Sequence, residues 1–251
     1  IPYIFGTLGS PEKNLIPDAV LEKNNVDLLV AEVTSIDRHA RRLSTDNGQV
    51  EYGRLILATG SLPVQPPIIG VDLDGVFPVL KDVEHLGGLQ ERLENVQNVV
   101  IIGGGFIGIE FADEINKIDG KNVTILELAD QCLSLSYDPE FCTEMEELLA
   151  SRGVEVRTSA RVTAIEGNGS VTRVTLADDT AVPAEVVILG IGARANVTLA
   201  EDAGLRLGLT GAVAVDRTMQ TSDPAIFACG DCAEKRSFFG GGPSNLKLAS
   251  I

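Results

Sequence analysis

Residues 98–127 read NVVIIGGGFIGIEFADEINKIDGKNVTILE, and this stretch decides the fold. It opens with a β-branched apolar run that is typical of a strand buried on both faces. The glycine pattern GxGxxG follows at once, formed by Gly103, Gly105 and Gly108. In that pattern the first glycine permits a tight turn, the second lets a pyrophosphate approach the backbone, and the third lets the next helix pack closely on the strand.

A helix and a second strand complete the unit. The helix is predicted from apolar residues at helical spacing, with a glycine expected to end it: Ile107, Phe111, Ile115 and Ile118, then Gly120. The strand at residues 123–126 leads to Glu127, which lies 19 residues past Gly108. An acidic side chain at roughly this distance accepts hydrogen bonds from an adenosine ribose. A glycine loop alone is often only a turn, but the combination of elements predicts a βαβ dinucleotide-binding unit.

The composition and net charge limit the size class of the protein and the partners it is expected to bind. The 251 residues, 44% of them hydrophobic, suffice for one large domain or two ordinary ones. The apolar runs are strand-length, and a net charge of −16 opposes binding to nucleic acid or to anionic membranes, so neither is expected as a partner. Four cysteines do not make a disulfide scaffold in a chain of this length, which favours a cytoplasmic location.

An order of elements occurs twice in the chain. VTSID at residues 33–37 and VTAIE at residues 162–166 lie 129 residues apart. Each is preceded by a short apolar run, at residues 26–30 and 154–156, and is followed by polar strands, a turn and a buried run that ends in glycine. Because corresponding elements of the two segments keep nearly the same separation, the pattern indicates a duplicated architecture containing two β-meanders. Chance agreement between two meanders is the alternative.

The repeat predicts how the two copies are arranged. The glycine loop of the second copy precedes Val154 by 51 residues, so the first copy's loop is expected about 25 residues before Ile1. A further buried strand, at residues 226–228, ends in Cys-Gly-Asp and fits the first copy better than the second. We therefore expect one domain to be inserted into another. Residues 1–78 and 198–251 would form the incomplete first domain, with a proline-rich linker at 62–78, and residues 79–197 the inserted one.

These motifs resemble the FAD-dependent pyridine nucleotide-disulfide oxidoreductases, and the resemblance covers nearly the whole chain. Its carriers are ATG at 58–60, GGGFIGIE at 103–110, GIGARAN at 190–196 and TSDPAIFACGD at 221–231, in the family's order. The resemblance implies an α/β fold of two Rossmann-like three-layer domains with β-meanders, in which the NAD domain is inserted into an incomplete FAD domain. It also implies an enzyme that passes hydride from NADH to FAD and on to an acceptor.

The resemblance, together with the motifs, assigns the residues that are expected to contact the two cofactors. They are Ala58, Thr59, Gly60, Gly103, Gly105, Phe106, Ile107, Gly108, Glu110, Glu127, Gly192, Gly230 and Asp231. The family implies that Glu110 lies near the nicotinamide, although a charge on the helix surface is the simpler interpretation. Asp231 is expected to accept a hydrogen bond from a sugar or ribityl hydroxyl.

The electron acceptor stays open at this point. The opening Ile1-Pro2-Tyr3 resembles the segment after the redox cysteine of NADH oxidases, NADH peroxidases and coenzyme A-disulfide reductases. That cysteine is thus expected just before Ile1, with no catalytic residue inside the chain, and a disulfide, oxygen or peroxide would accept the electrons. The alternatives are a reductase of a rubredoxin or ferredoxin-type protein and a fragment that binds nucleotide without turnover. The family also implies a homodimer.

Two further patterns, one of cysteines and one of histidines, do not predict a site. Cys229 and Cys232 have the CxxC spacing of a redox dithiol or of half a zinc site. They lie inside the second flavin motif and no second CxxC exists in the chain, so structural thiols are favoured. His39 and His85 have no telling neighbours and are predicted to be surface residues, and no metal site is expected.

Overall fold

The computed structural model describes residues 18–237 and 240–244. Within them the helices are α1 (Asp18–Lys23), α2 (Val83–Glu94), α3 (Phe106–Asn116), α4 (Pro139–Ser151) and α5 (Thr198–Asp202). The strands are β1 (Val33–Asp37), β2 (Arg42–Thr45), β3 (Gly48–Glu51), β4 (Leu55–Leu57), β5 (Ser61–Pro63), β6 (Val76–Pro78), β7 (Asn98–Ile102), β8 (Asn122–Leu126), β9 (Glu155–Arg157), β10 (Val162–Asn168), β11 (Ser170–Leu176), β12 (Ala181–Pro183), β13 (Val186–Leu189), β14 (Ala193–Ala195), β15 (Val213–Ala214), β16 (Ile226–Ala228), β17 (Ala233–Arg236) and β18 (Pro243–Ser244).

The described residues divide into two compact units. The first is Pro63–Gly192, and the second combines residues before position 63 with residues after position 192. None of the helices described is long and apolar enough to cross a membrane.

The first unit is built in three layers around a five-stranded sheet. The strand order is β6-β13-β7-β8-β9, and all neighbours run parallel. Along β7 the side chains alternate, because successive residues of a strand point to opposite faces. Val99 and Ile101 pack with α2, α3 and α4, whereas Val100 and Ile102 pack with the antiparallel meander β10-β11-β12. The predicted α/β class and the predicted meander are confirmed.

Helix α3 buries a face that differs in part from the predicted one. Phe111 and Ile115 are fully buried, as their spacing indicates. Ile107 and Ile118, which were expected on the same face, are 37% and 38% exposed. Ile107 lies in the first turn of the helix, and Ile118 lies beyond its last residue, Asn116.

The other two helices of this unit begin where the sequence predicts. Asp82 caps α2, since its carboxylate accepts a hydrogen bond from the backbone N–H of His85 at 2.8 Å. Asp138 occupies the corresponding position before α4, but its side chain makes no capping hydrogen bond. The start of α4 depends instead on Pro139, whose fixed φ suits the first helical position.

The predicted linker at residues 62–78 is largely part of the first unit. β6 pairs in parallel with β13, and Ile69 forms a bridge with Ala164 of the meander. The first unit therefore begins at Pro63 rather than at residue 79, and it ends at Gly192 rather than at residue 197.

The second unit contains the other predicted meander, β1-β2-β3, followed by β4. β4 pairs in parallel with β16, so the late strand at 226–228 joins the early part of the chain, as the repeat predicts. Their buried side chains form one core with Val213 of β15 and Ala200 of α5. Residues 26–30 are exposed and form no strand. Their counterpart β9 pairs with β8, and the described part of this unit contains no equivalent of β8.

Candidate functional site

In the first unit, two glycines of the GxGxxG motif are required by close packing, one in the loop after β7 and one in the first turn of α3. Gly103 has a φ of +109°, and a Cβ there would lie 2.6 Å from the carbonyl oxygen of Gly190, at the end of the neighbouring strand. A Cβ on Gly108 would lie 1.9 Å from the carbonyl oxygen of Gly103. These glycines therefore hold the loop, the helix and the ends of two strands together.

Gly105 differs from both, because space beside it is open. It is the N-cap of α3, and no side chain caps the helix there. A Cβ on Gly105 would have nothing within 4 Å, and the following side chains, Phe106 and Ile107, are 43% and 37% exposed. The first turn of an 11-residue helix thus offers its backbone N–H groups and the positive end of its dipole to an anion beside Gly105.

Glu127 lies next to this loop, at the carboxyl end of β8. It is half-buried, and its oxygen Oε2 accepts a hydrogen bond from the backbone N–H of Gly104. The other oxygen, Oε1, accepts one from the N–H of Ala129 at 2.7 Å. A carboxylate oxygen can accept more than one hydrogen bond, so both oxygens retain capacity for ligand hydroxyls.

Gly104 and Cys132 adjoin the candidate site, although the sequence motif does not indicate either residue. A Cβ on Gly104 would lie 2.4 Å from Cys132 Sγ, so this thiol fills the space beside the loop. The N–H of Leu133 donates to the carbonyl of Gly104 at 2.9 Å, and the N–H of Cys132 donates to Glu146 Oε1 at 2.6 Å. Burial, followed by the negative charges of Glu146 and Glu127, raises the pKa of the Cys132 thiol to about 12. The thiol is a packing group, and the only sequence signal was a third consecutive glycine.

Two other residues that the sequence predicts for this unit, Glu110 and Gly192, lie outside the glycine loop. Glu110 is exposed on α3. Gly192 has a φ of +99° and accepts a hydrogen bond from the N–H of Val64. The Phe106 ring makes an edge contact with Tyr137, at 5.7 Å between ring centroids, which the sequence did not indicate.

In the second unit, two predicted segments leave the sheet at the same edge. β4 and β16 are parallel with Leu57 opposite Ala228, so Ala58-Thr59-Gly60 and Cys229-Gly230-Asp231 both follow carboxyl ends of strands. Ligands of parallel α/β sheets bind at that edge. Gly60 and Gly230 have φ values of +67° and +72°, and a Cβ on either would have nothing within 4 Å.

Asn196 fixes the first of these segments. Its backbone carbonyl accepts a hydrogen bond from Thr59 Oγ1 at 2.6 Å, and its N–H donates to the carbonyl of Gly60 at 3.0 Å. Its side-chain amide also donates to the carbonyl of Thr59, at 3.3 Å. The Thr59 hydroxyl is therefore engaged by the protein, which the sequence motif did not reveal.

Asp231 is one of two buried polar residues in the described chain, at 8% exposure. Its Oδ2 accepts a hydrogen bond from Ser61 Oγ at 3.0 Å, and its Oδ1 lies 3.8 Å from Lys235 Nζ. The adjacent Cys232 thiol is buried and contacts the carbonyls of Leu57 and Cys229, at 3.4 and 3.1 Å. Among the described residues no group of three His, Cys, Asp or Glu side chains is arranged to hold a metal ion.

Comparison with known proteins gives relatives of considerable similarity. The chain is 38% identical over 243 residues to an NAD(P)H coenzyme A polysulfide/persulfide reductase of Pyrococcus horikoshii, covering 94% of the chain and 54% of the relative. It is 34% identical over 230 residues to a rubredoxin-NAD(+) reductase of Pseudomonas putida, covering 90% and 59%. The chain thus spans little more than half the length of these curated relatives.

A solved structure extends the likeness to three dimensions. The ferredoxin reductase for the CYP199A2 system of Rhodopseudomonas palustris matches with a TM-score of 0.90 at 30% identity, over 99% of the chain and 62% of that structure. The family model described as pyridine nucleotide-disulphide oxidoreductase matches residues 7–250. Because this model covers nearly all of the sequence, the chain belongs to the pyridine nucleotide-disulphide oxidoreductase family.

Proposed function

We propose that the protein is an NADH-dependent flavoprotein oxidoreductase, with NAD bound by the first unit and FAD by the second. The observation that carries the proposal is the Glu127 carboxylate, held beside the glycine loop by the N–H groups of Gly104 and Ala129. This arrangement supports ribose binding by Glu127 next to pyrophosphate binding at Gly105. When both cofactors are bound, they supply hydride transfer from NADH to FAD.

The first unit's own groups bind and orient the nucleotide. The N–H groups at Phe106 and Ile107 would bind the pyrophosphate at the start of α3, while Gly103 and Gly108 hold the loop in position. The family resemblance adds Glu110 and Gly192 on the nicotinamide side.

The second unit's groups fit a flavin nucleotide. Gly60 and Gly230 leave open space at the carboxyl edge of β4 and β16, and the buried Asp231 carboxylate there suits a ligand hydroxyl. Ala58 and Thr59 complete this edge. In this proposal the NAD domain is inserted into the FAD domain.

The second step of the proposed reaction is electron transfer from reduced FAD to an acceptor. A redox cysteine of the full-length protein would pass electrons to a disulfide, oxygen or peroxide, and the polysulfide/persulfide reductase relative supports this class. The rubredoxin reductase relative supports the alternative, a small redox protein as acceptor. We further propose a cytoplasmic homodimer that binds neither nucleic acid nor membrane, in keeping with the net charge of −16.

The test is anaerobic titration of the purified full-length protein with NADH. Stoichiometric bound FAD and loss of its visible absorbance on addition of NADH are expected. A protein that binds neither cofactor would contradict the proposal. Alkylation of thiols then separates the acceptors, because it should abolish turnover with disulfide, peroxide or oxygen if a redox cysteine is used, and leave turnover with a rubredoxin unchanged if it is not.

A further inference from the structure

Ser61 is the residue that directly follows the Ala-Thr-Gly segment, and it begins β5. Its hydroxyl donates a hydrogen bond to Oδ2 of Asp231, 170 positions later in the sequence, at a distance of 3.0 Å. The two residues reach each other because β4 and β16 are adjacent and parallel, so that the segments after them leave the sheet together. No other polar side chain in these two segments is as buried as Asp231.

The carboxylate of Asp231 is constrained on both oxygens. Its side chain is 7% exposed, and Lys235 Nζ lies 3.8 Å from Oδ1 while Ser61 holds Oδ2. A buried carboxylate requires such partners, since leaving it without hydrogen bonds or charge is costly. The Ser61 hydroxyl uses its proton in this contact and keeps two lone pairs. Ser61 and Asp231 together therefore present only acceptors to a ligand hydroxyl at this edge of the sheet.

We propose that Ser61 is a positioning residue for FAD, which sets the orientation of the Asp231 carboxylate toward the polyol chain of the flavin nucleotide. The inference rests on the proposed function. A carboxylate that is already oriented loses less side-chain entropy when it accepts a ligand hydroxyl, which strengthens binding without a new contact. Removal of the Ser61 hydroxyl removes the hydrogen bond to Oδ2 and so weakens one constraint on the orientation of the carboxylate.

The experiment compares Ser61→Ala with Ser61→Thr, which keeps a hydroxyl at the same position, in the full-length protein. Ser35→Ala, an exposed serine of β1 in the same unit, is the matched control. FAD is removed, and its dissociation constant is measured from the quenching of flavin fluorescence on rebinding. Ser61→Ala should weaken FAD binding by about tenfold, because a less constrained carboxylate has to be ordered when the ligand binds. Ser61→Thr should restore binding to within about threefold of the wild type.

Unfolding of the flavin-free protein supplies the second measurement. A positioning role predicts that Ser61→Ala loses FAD affinity at denaturant concentrations far below the midpoint of the flavin-free variant, where that variant is still folded. The inference is overturned if Ser61→Ala binds FAD as tightly as the wild type or if Ser61→Thr loses as much affinity as Ser61→Ala. It is also overturned if the fraction of unfolded flavin-free protein explains the whole loss of FAD affinity. Absence of FAD binding in the wild type would instead contradict the proposed function.

Discussion

The backbone N–H of Gly104 donates a hydrogen bond to Oε2 of Glu127, joining the glycine loop to the carboxyl end of the next strand. The two residues are 23 positions apart and follow the neighbouring parallel strands β7 and β8, at the edge where both end. The contact makes the loop and the acidic residue one structural unit. In the proposed nucleotide site, the ribose and pyrophosphate positions are therefore fixed relative to each other before a ligand binds.

Cofactor choice is the first prediction. We expect NADH to bind at least about tenfold more tightly than NADPH, or roughly 1.4 kcal/mol, because a 2′-phosphate would meet the Glu127 carboxylate. The exposed residues that follow, Leu128 and Asp130, offer no cation and add a negative charge. Glu127→Ala should reduce the preference mainly by weakening NADH. Fluorescence titration with both nucleotides measures it, with Glu147→Ala on the exposed face of α4 as control. Equal or tighter NADPH binding would contradict the role given to Glu127.

The second prediction concerns Gly104, which is not one of the three glycines of the motif. Gly104→Ala should weaken NADH binding by about tenfold or more, because the new methyl group would lie 2.4 Å from Cys132 Sγ and displace the loop. Gly87→Ala on α2 is the matched control, since a Cβ there meets nothing within 4 Å. It should keep NADH affinity and leave stability unchanged or raise it by about 0.5–1 kcal/mol.

A double variant checks the stated cause. Cys132→Ala removes the sulfur atom from the contact, leaving the nearest protein atoms about 3.2 Å from the new Cβ. Gly104→Ala combined with Cys132→Ala should therefore recover part of the lost affinity. If the single variant binds NADH normally, or if the double variant is no better than Gly104→Ala, the packing argument is wrong.

The sequence predicts the centre of the first unit well because its signals are local. The strand β7, the glycines, α3 and β8 are consecutive, and each has its own pattern. β6 was predicted to be a linker because the segment is rich in proline and glycine. Proline is tolerated in an edge strand, and β6 is an edge strand that ends at Pro78. A composition-based boundary could not distinguish these two cases.

Contacts between distant residues account for most of what the sequence did not predict. Ser61 meets Asp231 across 170 positions, and Cys132 packs on Gly104 across 28. Nothing in the residues around Ser61 or Cys132 indicates these partners, because they are brought together by strand order. The repeat did predict that residues 226–228 return to the first copy, but it could not say which side chains would then meet.

Arg38 gives the third prediction, on the stability of the second unit. Its Nε donates to Asp223 Oδ2 at 2.9 Å, and its Nη1 donates to the carbonyls of Ala203 and Gly204, at 3.2 and 3.1 Å, just after α5. Arg38→Ala leaves these acceptors without their donor, so we expect a loss of about 2 kcal/mol in the free energy of unfolding. Urea denaturation measures it.

An exposed arginine of the same meander is the control for Arg38. Arg42 pairs with Glu51 at 3.1 Å, and the two side chains are 40% and 77% exposed. Such surface pairs contribute about 0–1 kcal/mol, so Arg42→Ala should cost much less than Arg38→Ala. Equal losses of unfolding free energy for the two variants would show that the Arg38 contacts stabilise the fold no more than a surface ion pair does.

The last prediction is a pH dependence that originates at Asp223. The N–H of Ala225 donates to Oδ1, and Arg38 donates to Oδ2, so both contacts lower the pKa of this carboxyl from its ordinary value of 3.8. A carboxyl whose pKa is lower in the folded state stabilises the fold fully above its unfolded pKa, and this contribution is lost as the pH falls through the folded pKa. The difference in unfolding free energy between wild type and Asp223→Asn should therefore be constant above about pH 5 and shrink below about pH 4. Urea unfolding across this range measures the difference.

Repeating the measurement with Arg38→Ala as the background should give a smaller difference at neutral pH, because one of the two stabilising donors is gone. A difference that stays constant down to pH 3 or grows there would rule out a lowered pKa at Asp223.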